Sequence, residues 1–363
     1  MGFPVALRLN IDRTKATGRG AGINPDGRFE PTSRAVEADG WSEPEARRAT
    51  TEVVEEAPKR IITRNTSPDI GFDRSINAYR GCEHGCVYCF ARPTHAYLGL
   101  SPGLDFETKL FAKPNAAALL RREIAAPGYR PRSLALGTNT DPYQPIERER
   151  RITRDILAVL SATKHPVGIV TKSDLVVRDI DILAPMAAMG LAKVGLSVTT
   201  LNGALARSME PRAPTPKKRL AAIAALSAAG VPVTALVAPI VPAINDHEIE
   251  DIVAAAAEAG ASHVNFVLLR LPHEVKDVVR DWLARHFPDR ARRVMSVMQA
   301  MRGGKDYDAA WGLRQRGQGP FADAIAARMK LAAKRQGLAI GSIRLRTDLF
   351  EPPQREKAQL ELF

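Results

Sequence analysis

Asn77-Ala78-Tyr79-Arg80-Gly81-Cys82-Glu83-His84-Gly85-Cys86-Val87-Tyr88-Cys89-Phe90 contains all three cysteines of this 363-residue chain. An odd, tightly clustered set cannot be a disulfide framework, and it points to a metal site in a reducing compartment. The spacing is C-x3-C-x2-C, and Gly81 and Gly85 let the backbone wrap closely around whatever the thiolates hold. A zinc site wants four protein ligands, so His84 or His95 would have to supply the fourth. A cubane iron–sulfur cluster has four irons, each normally capped by a thiolate. Three cysteines leave one iron open, and an open metal position marks a catalytic centre.

Outward from this loop the chain alternates between β-branched runs and Ala-rich stretches with helical apolar spacing. The runs are Ser75–Tyr79, Ser133–Leu136, Val167–Thr171, Lys193–Val198, Val233–Val237 and His263–Leu268. Helices are predicted over Ala116–Ala125, Thr153–Thr163, Leu175–Met189, Pro216–Ala229 and Asp246–Ala259, with Asp174 and Thr215–Pro216 as starts and Gly230 and Gly260 as stops. Such alternation implies parallel strands joined by helical crossovers. Six units fall short of a closed eight-stranded barrel, leaving an open doubly wound sheet or a partial barrel. In either, ligands sit beyond the C-terminal ends of the strands. Polar residues gather there: Gly81–Cys89, Gly137–Asp141, Lys172–Ser173, Thr199–Thr200 and Arg270.

Residues 1–55 are rich in Gly, Pro, Arg and Glu without apolar periodicity and read as a largely disordered basic arm. Residues 56–345 form the predicted barrel domain, and 346–363, broken by Pro352 and Pro353, an exposed C-terminal tail. No apolar stretch is long enough for a membrane span and no secretory signal is legible, so the expected location is cytoplasmic. The net charge of +12 makes nucleic acid a candidate partner.

Cys82-x3-Cys86-x2-Cys89, with an aromatic residue before the last cysteine, resembles the signature of the radical S-adenosylmethionine (SAM) superfamily. The resemblance implies a partial (β/α)6 TIM-type barrel with the cysteine loop after its first strand. It also implies a 4Fe–4S cluster on Cys82, Cys86 and Cys89, with SAM chelating the fourth iron and an external flavodoxin- or ferredoxin-like electron donor. Reductive cleavage of SAM would then yield a 5′-deoxyadenosyl radical that abstracts hydrogen from a substrate. Within the superfamily the chain is similar to the branch of spore photoproduct lyase and the DNA repair photolyase-like proteins. The residues carrying this are Tyr88 and Phe90, Thr140-Asp141-Pro142-Tyr143-Gln144-Pro145-Ile146-Glu147, Thr171-Lys172-Ser173, and Glu210-Pro211 with Arg219.

For the cosubstrate, that likeness places Thr138, Thr140 and Asp141 near the methionine amino group, where a turn before Pro142 is the competing reading. Lys172 would meet the carboxylate, helped by the helix start at Ser173–Asp174. Ser197 and Glu210 are the candidates for the ribose, and Tyr88 and Phe90 for packing on adenine or cluster. The lyase relies on a further cysteine after the second strand. This sequence has none, which argues against that mechanism, and Tyr143 is a conceivable alternative hydrogen donor. Nucleic acid, a peptide or a small molecule are the substrate classes to separate, and a non-catalytic metal-containing nucleic-acid-binding protein is the third reading. Finally, Gln359-Leu360-Glu361-Leu362-Phe363 resembles the peptide by which bacterial polymerases and repair proteins dock on the replication sliding clamp.

Overall fold

Each of the long apolar runs folds as a strand, and a helix returns the chain to the start of the next. The computed structural model describes residues 18–30 and 49–354. Its strands are β1 (Glu52–Glu55), β2 (Ile62–Arg64), β3 (Arg74–Ile76), β4 (Tyr79–Arg80), β5 (Lys109–Ala112), β6 (Leu134–Leu136), β7 (Val167–Thr171), β8 (Ala192–Ser197), β9 (Val233–Ile240), β10 (His263–Leu268) and β11 (Ala339–Ile340). The sheet order is β11-β10-β9-β8-β7-β6-β3-β2. All neighbours are parallel except β2, which runs antiparallel to β3. Helices Ala116–Ile124, Ile152–Ala162, Ile180–Ala188, Pro216–Ala228 and Ile249–Glu258 form the crossovers. The edge strands β2 and β11 do not pair with each other, so the six-unit barrel is partial.

Burial tells the two faces of the sheet apart. Val167 and Ile169 on β7 are buried in the main core with residues of the crossover helices. Val170, between Ile169 and Thr171 on a central strand, is 37% exposed. Helices cover the convex face, so Val170 looks into an open concave face, where its register partner on β8 is Gly195. Room for a ligand exists there, at the strand ends that carry the polar residues.

The structure corrects three sets of expectations, the first of them within single elements. The first run does not continue through Tyr79. It breaks at Asn77–Ala78 because Tyr79–Arg80 turns away to pair with β5 in a separate three-stranded sheet with β1. The 174–189 helix splits into a 3-10 turn, Asp174–Asp179, and the helix Ile180–Ala188. Its cap is Ser173, whose Oγ accepts from Leu175 N at 3.3 Å.

The arm is the second correction: residues 18–30 and β1 are folded. Gly20 N and Ala21 N donate to the Glu107 carboxylate at 2.9 and 2.8 Å, and Ala21 and Ile23 are buried. Backbone amides and small side chains make this docking, so no apolar stripe announced it. Third, the tail is anchored further than position 346. Arg346 N donates to Gly190 O at 3.0 Å and Glu351 N to Thr163 O at 3.0 Å. Phe350 packs on Tyr129 and His165 at 5.6 and 5.3 Å. These partners precede β6, β7 and β8, so the segment crosses the barrel end opposite the cysteine loop. Residues 355–363, including the clamp-like peptide, lie outside the described residues.

Candidate active site

The cysteine loop follows β4 and is fixed from several sides. Cys82 N donates to Phe106 O at 2.9 Å, Val87 N to Met209 O at 3.0 Å and Cys89 N to Cys86 O at 3.2 Å. Gln144 clasps the loop twice, accepting from Glu83 N at 2.9 Å and donating to Gly81 O at 3.2 Å. Gly81 and Gly85 both have left-handed φ, +74° and +66°. A Cβ on Gly85 would also come within 2.7 Å of Glu107 Oε2, so both backbone conformation and space demand glycine.

Behind the loop lies a fully buried ion pair, Arg92–Glu107, at 2.5 Å. Arg92 also donates to Cys86 O at 2.9 Å, Pro102 O at 3.1 Å and Gly103 O at 2.8 Å. Glu107 in turn holds residues 20 and 21, so one carboxylate ties the N-terminal segment to the loop.

All three cysteines are free thiols, Cys82 and Cys86 buried and Cys89 partly so. Burial pushes the Cys82 thiol well up, with Asp141 and the two other thiols adding to it. Burial likewise raises Cys86, opposed by Lys172 and reinforced by Glu210 and Cys89. The three sulfurs are thus within electrostatic reach of one another, and Cys82 and Cys89 pack with Ala91 and Phe106. Among the described residues no three His, Cys, Asp or Glu side chains converge as ligands of a single ion. Thiolates on a cubane cap different irons and need not converge, so the donor set fits a cluster better than a mononuclear zinc. His95 Nε2 is held by Lys109 O at 2.9 Å.

Asp141 is the hub of the strand ends. Its Oδ1 accepts from Thr171 Oγ1 at 2.6 Å and from Tyr143 N at 2.9 Å, and its Oδ2 from Lys172 N at 2.9 Å. His84 Nδ1 lies 3.4 Å from Oδ2. Burial acts to raise its pKa, but His84, Thr171 and Lys172 outweigh burial and hold the carboxyl far below the usual range. With both oxygens engaged, Asp141 organises the turn and the start of the Lys172 loop. Thr140, buried, donates to Tyr79 O at 3.0 Å, and Thr138 lies 3.5 Å from Asn77 Oδ1. Lys172 Nζ sits 5.7 Å from the Tyr88 ring centroid, and among the described residues no carboxylate forms an ion pair with it.

Glu210 is buried and already satisfied. It accepts from the Tyr88 hydroxyl and from Arg219 Nη2, and from Thr199 Oγ1 at 2.7 Å. A buried carboxylate so fully paired supports Tyr88 and leaves little for a ribose. Arg219 reaches Ser197 O at 3.2 Å, whereas the Ser197 hydroxyl makes no hydrogen bond among the described residues. Phe90 is 44% exposed and stacks under Arg270, 4.8 Å from its ring centroid. Packing in the core is therefore excluded for Phe90. Tyr143 is buried with its hydroxyl committed to Asp179 Oδ2 at 3.0 Å, which removes it as a donor facing the concave side.

The structure brings Tyr88, Asp141, Lys172 and Glu210 around the cysteine loop. Sequence reasoning missed Arg92, Glu107 and Gln144. Gln144 had a signal in its place inside the quoted Thr140–Glu147 stretch, and Arg92 in following the cysteine motif by three residues; Glu107 had none.

Residues 76–256 match the Radical SAM superfamily. An uncharacterised protein of Mycobacterium tuberculosis is 40% identical over 224 residues, covering 61% of this chain and 66% of that one. The chain thus spans just under two thirds of that relative's length. An uncharacterised protein of Methanocaldococcus jannaschii is 29% identical over 54% of this chain and 71% of its own. Among solved structures, spore photoproduct lyase complexed with dinucleoside spore photoproduct superposes with a TM-score of 0.57 at 16% identity, covering 85% of this chain and 87% of the lyase. A variant of that lyase with bound AdoMet and the dinucleoside gives 0.56, over 79% and 80%. At that identity the likeness is one of fold.

Proposed function

Because this chain belongs to the radical SAM superfamily, whose cofactors are a 4Fe–4S cluster and SAM, we propose that Cys82, Cys86 and Cys89 hold the cluster and that the concave strand ends hold the cosubstrate. The observation that carries this reading is the set of three neighbouring thiols, without a fourth, beside an unpaired Lys172. When bound, the cluster supplies the electron that splits SAM into methionine and a 5′-deoxyadenosyl radical, which abstracts hydrogen from a substrate. The electron itself comes from an external flavodoxin- or ferredoxin-like donor.

The chain's own residues bind and orient. Lys172 supplies a cation for the methionine carboxylate, and Asp141 holds the Lys172 backbone in place. Thr138 is the candidate for the amino group, since Thr140 and Asp141 are engaged within the protein. The Ser197 hydroxyl serves the ribose. Tyr88, steadied by Glu210, packs beside the cosubstrate, and Phe90 lines the rim. Nucleic acid is the substrate class the net charge of +12 favours. No helix among the described residues is long and apolar enough to cross a membrane.

Anaerobic reconstitution followed by quantification of 5′-deoxyadenosine tests the reading. Wild-type protein should form it under dithionite, and Cys82→Ala, Cys86→Ala and Cys89→Ala should not. Full cleavage by any one of the three variants overturns the ligand assignment.

A further inference from the structure

Four large aromatic side chains are exposed among the described residues: Phe29 at 55%, Phe90 at 44%, Tyr97 at 70% and Trp311 at 54%. Each carries a guanidinium against its ring. Arg28 lies 4.5 Å from the Phe29 centroid and 5.0 Å from that of Tyr97, Arg270 lies 4.8 Å from Phe90, and Arg314 lies 5.9 Å from Trp311. Single exposed apolar residues are ordinary, whereas a group of exposed aromatics on one face marks a binding surface.

These pairs are joined to one another along the open seam of the barrel, where the first and last units face each other. Arg28 is bound to Glu274 at 3.2 Å, in the loop after β10 that also carries Arg270. Phe90, under Arg270, directly follows the cluster ligand Cys89. On the far side, Asp69 in the β2–β3 loop grips Arg314 Nε at 2.5 Å and Gly312 N at 2.6 Å, with Arg270 within electrostatic reach. Asp69 thereby ties the first unit to the segment that carries Trp311. Flat platforms backed by guanidinium thus lie on the seam beside the cysteine loop, Arg28 and Arg314 each paired with a carboxylate and Arg270 without an ion-pair partner among the described residues.

We propose that this seam binds an unpaired strand of nucleic acid, deepening the substrate side of the function proposed above. Aromatic faces backed by guanidinium accept stacked bases of any sequence, and Arg270, the one of these arginines without an ion-pair partner among the described residues, meets phosphate. A duplex hides the base faces, so it cannot use the platforms. An acidic peptide offers charge to the arginines but few planar groups to four rings.

Fluorescence anisotropy of cluster-loaded protein, without SAM, tests this with a labelled 12-nucleotide single-stranded DNA. The competitors are its duplex, heparin and polyglutamate. The single strand should bind at least tenfold tighter than the duplex. Trp311→Ala and Tyr97→Ala should each weaken it by roughly fivefold or more with the salt dependence unchanged. Arg270→Gln should flatten the slope of log affinity against log salt by about one. Equal binding of duplex, heparin or polyglutamate, unaltered affinity in the aromatic variants, or no binding overturns the proposal. Trp311 and Tyr97 are outside the cosubstrate site, so both variants should keep uncoupled SAM cleavage. Loss of cleavage in the wild type sinks the radical chemistry, whereas loss of strand binding alone sinks only the seam.

Discussion

Replacing Glu107 by glutamine should loosen the N-terminal segment from the cysteine loop. The carboxylate accepts from Arg92 Nη2 at 2.5 Å, from Ala21 N at 2.8 Å and from Gly20 N at 2.9 Å, with no exposure to water. Glutamine removes the charge and turns one acceptor into a donor that faces other donors. Breaking a fully buried ion pair by removing one partner costs about 3–5 kcal/mol. The structure can shed much of that penalty locally, because releasing residues 18–30 rehydrates Gly20 N, Ala21 N and part of Arg92. The opening should therefore be local, and 3 kcal/mol corresponds to roughly a hundredfold rise in the open population. Limited trypsin digestion of cluster-loaded Glu107→Gln, with mass spectrometry of cleavage after Arg19 and Arg28, reads that population. A double change, Arg92→Leu with Glu107→Leu, should not restore protection. It leaves the carbonyls of Cys86, Pro102 and Gly103 without their donor, and the two amides without an acceptor. Wild-type cleavage rates in Glu107→Gln, with an unchanged urea midpoint, refute the latch.

Lys172→Ala should weaken SAM binding by about 1.5–3 kcal/mol, the worth of one charge-assisted contact, while iron content stays unchanged. Equilibrium dialysis of labelled SAM checks this, and an unchanged dissociation constant removes Lys172 from the site. His165 gives a pH signature at the opposite end of the barrel. Burial chiefly, aided by Arg74 and opposed by the hydrogen bond to Pro166 O, lowers its pKa to about 4. A depressed histidine contributes stability in full above its unfolded value near 6.5 and loses it as pH falls from there toward about 4, about 3 kcal/mol in all. Urea unfolding at pH 7.5 and pH 5 should show the loss in wild type and a smaller one in His165→Phe; identical slopes refute it.

The parallel strands were legible because short β-branched apolar runs alternate with helical segments between turn signals, and β7 through β10 match the predicted runs to within a few residues. The cysteine loop was legible from spacing alone. Long-range polar pairing was not. Asp141 draws partners from Thr171–Lys172 and from His84, two distant segments that no periodicity connects to it. Glu107 lies in an unremarkable stretch and Arg92 just past the cysteine motif, and their pairing depends on burial that only the fold supplies. The docking of residues 18–30 escaped notice for a related reason, since backbone amides of a Gly-rich stretch carry no side-chain signal. Glu210 was identified as a candidate for the ribose but not as a satisfied carboxylate, because Arg219 and Tyr88 reach it from outside any local pattern.

Electron paramagnetic resonance of the reduced, reconstituted protein, recorded with and without SAM, probes the three-cysteine cluster with one open iron most directly. Iron analysis should give about four irons per chain. The cluster signal should shift on addition of SAM, because the cosubstrate takes the iron that no cysteine of this chain caps. A signal that saturating SAM leaves unchanged, at full cluster occupancy, contradicts the account.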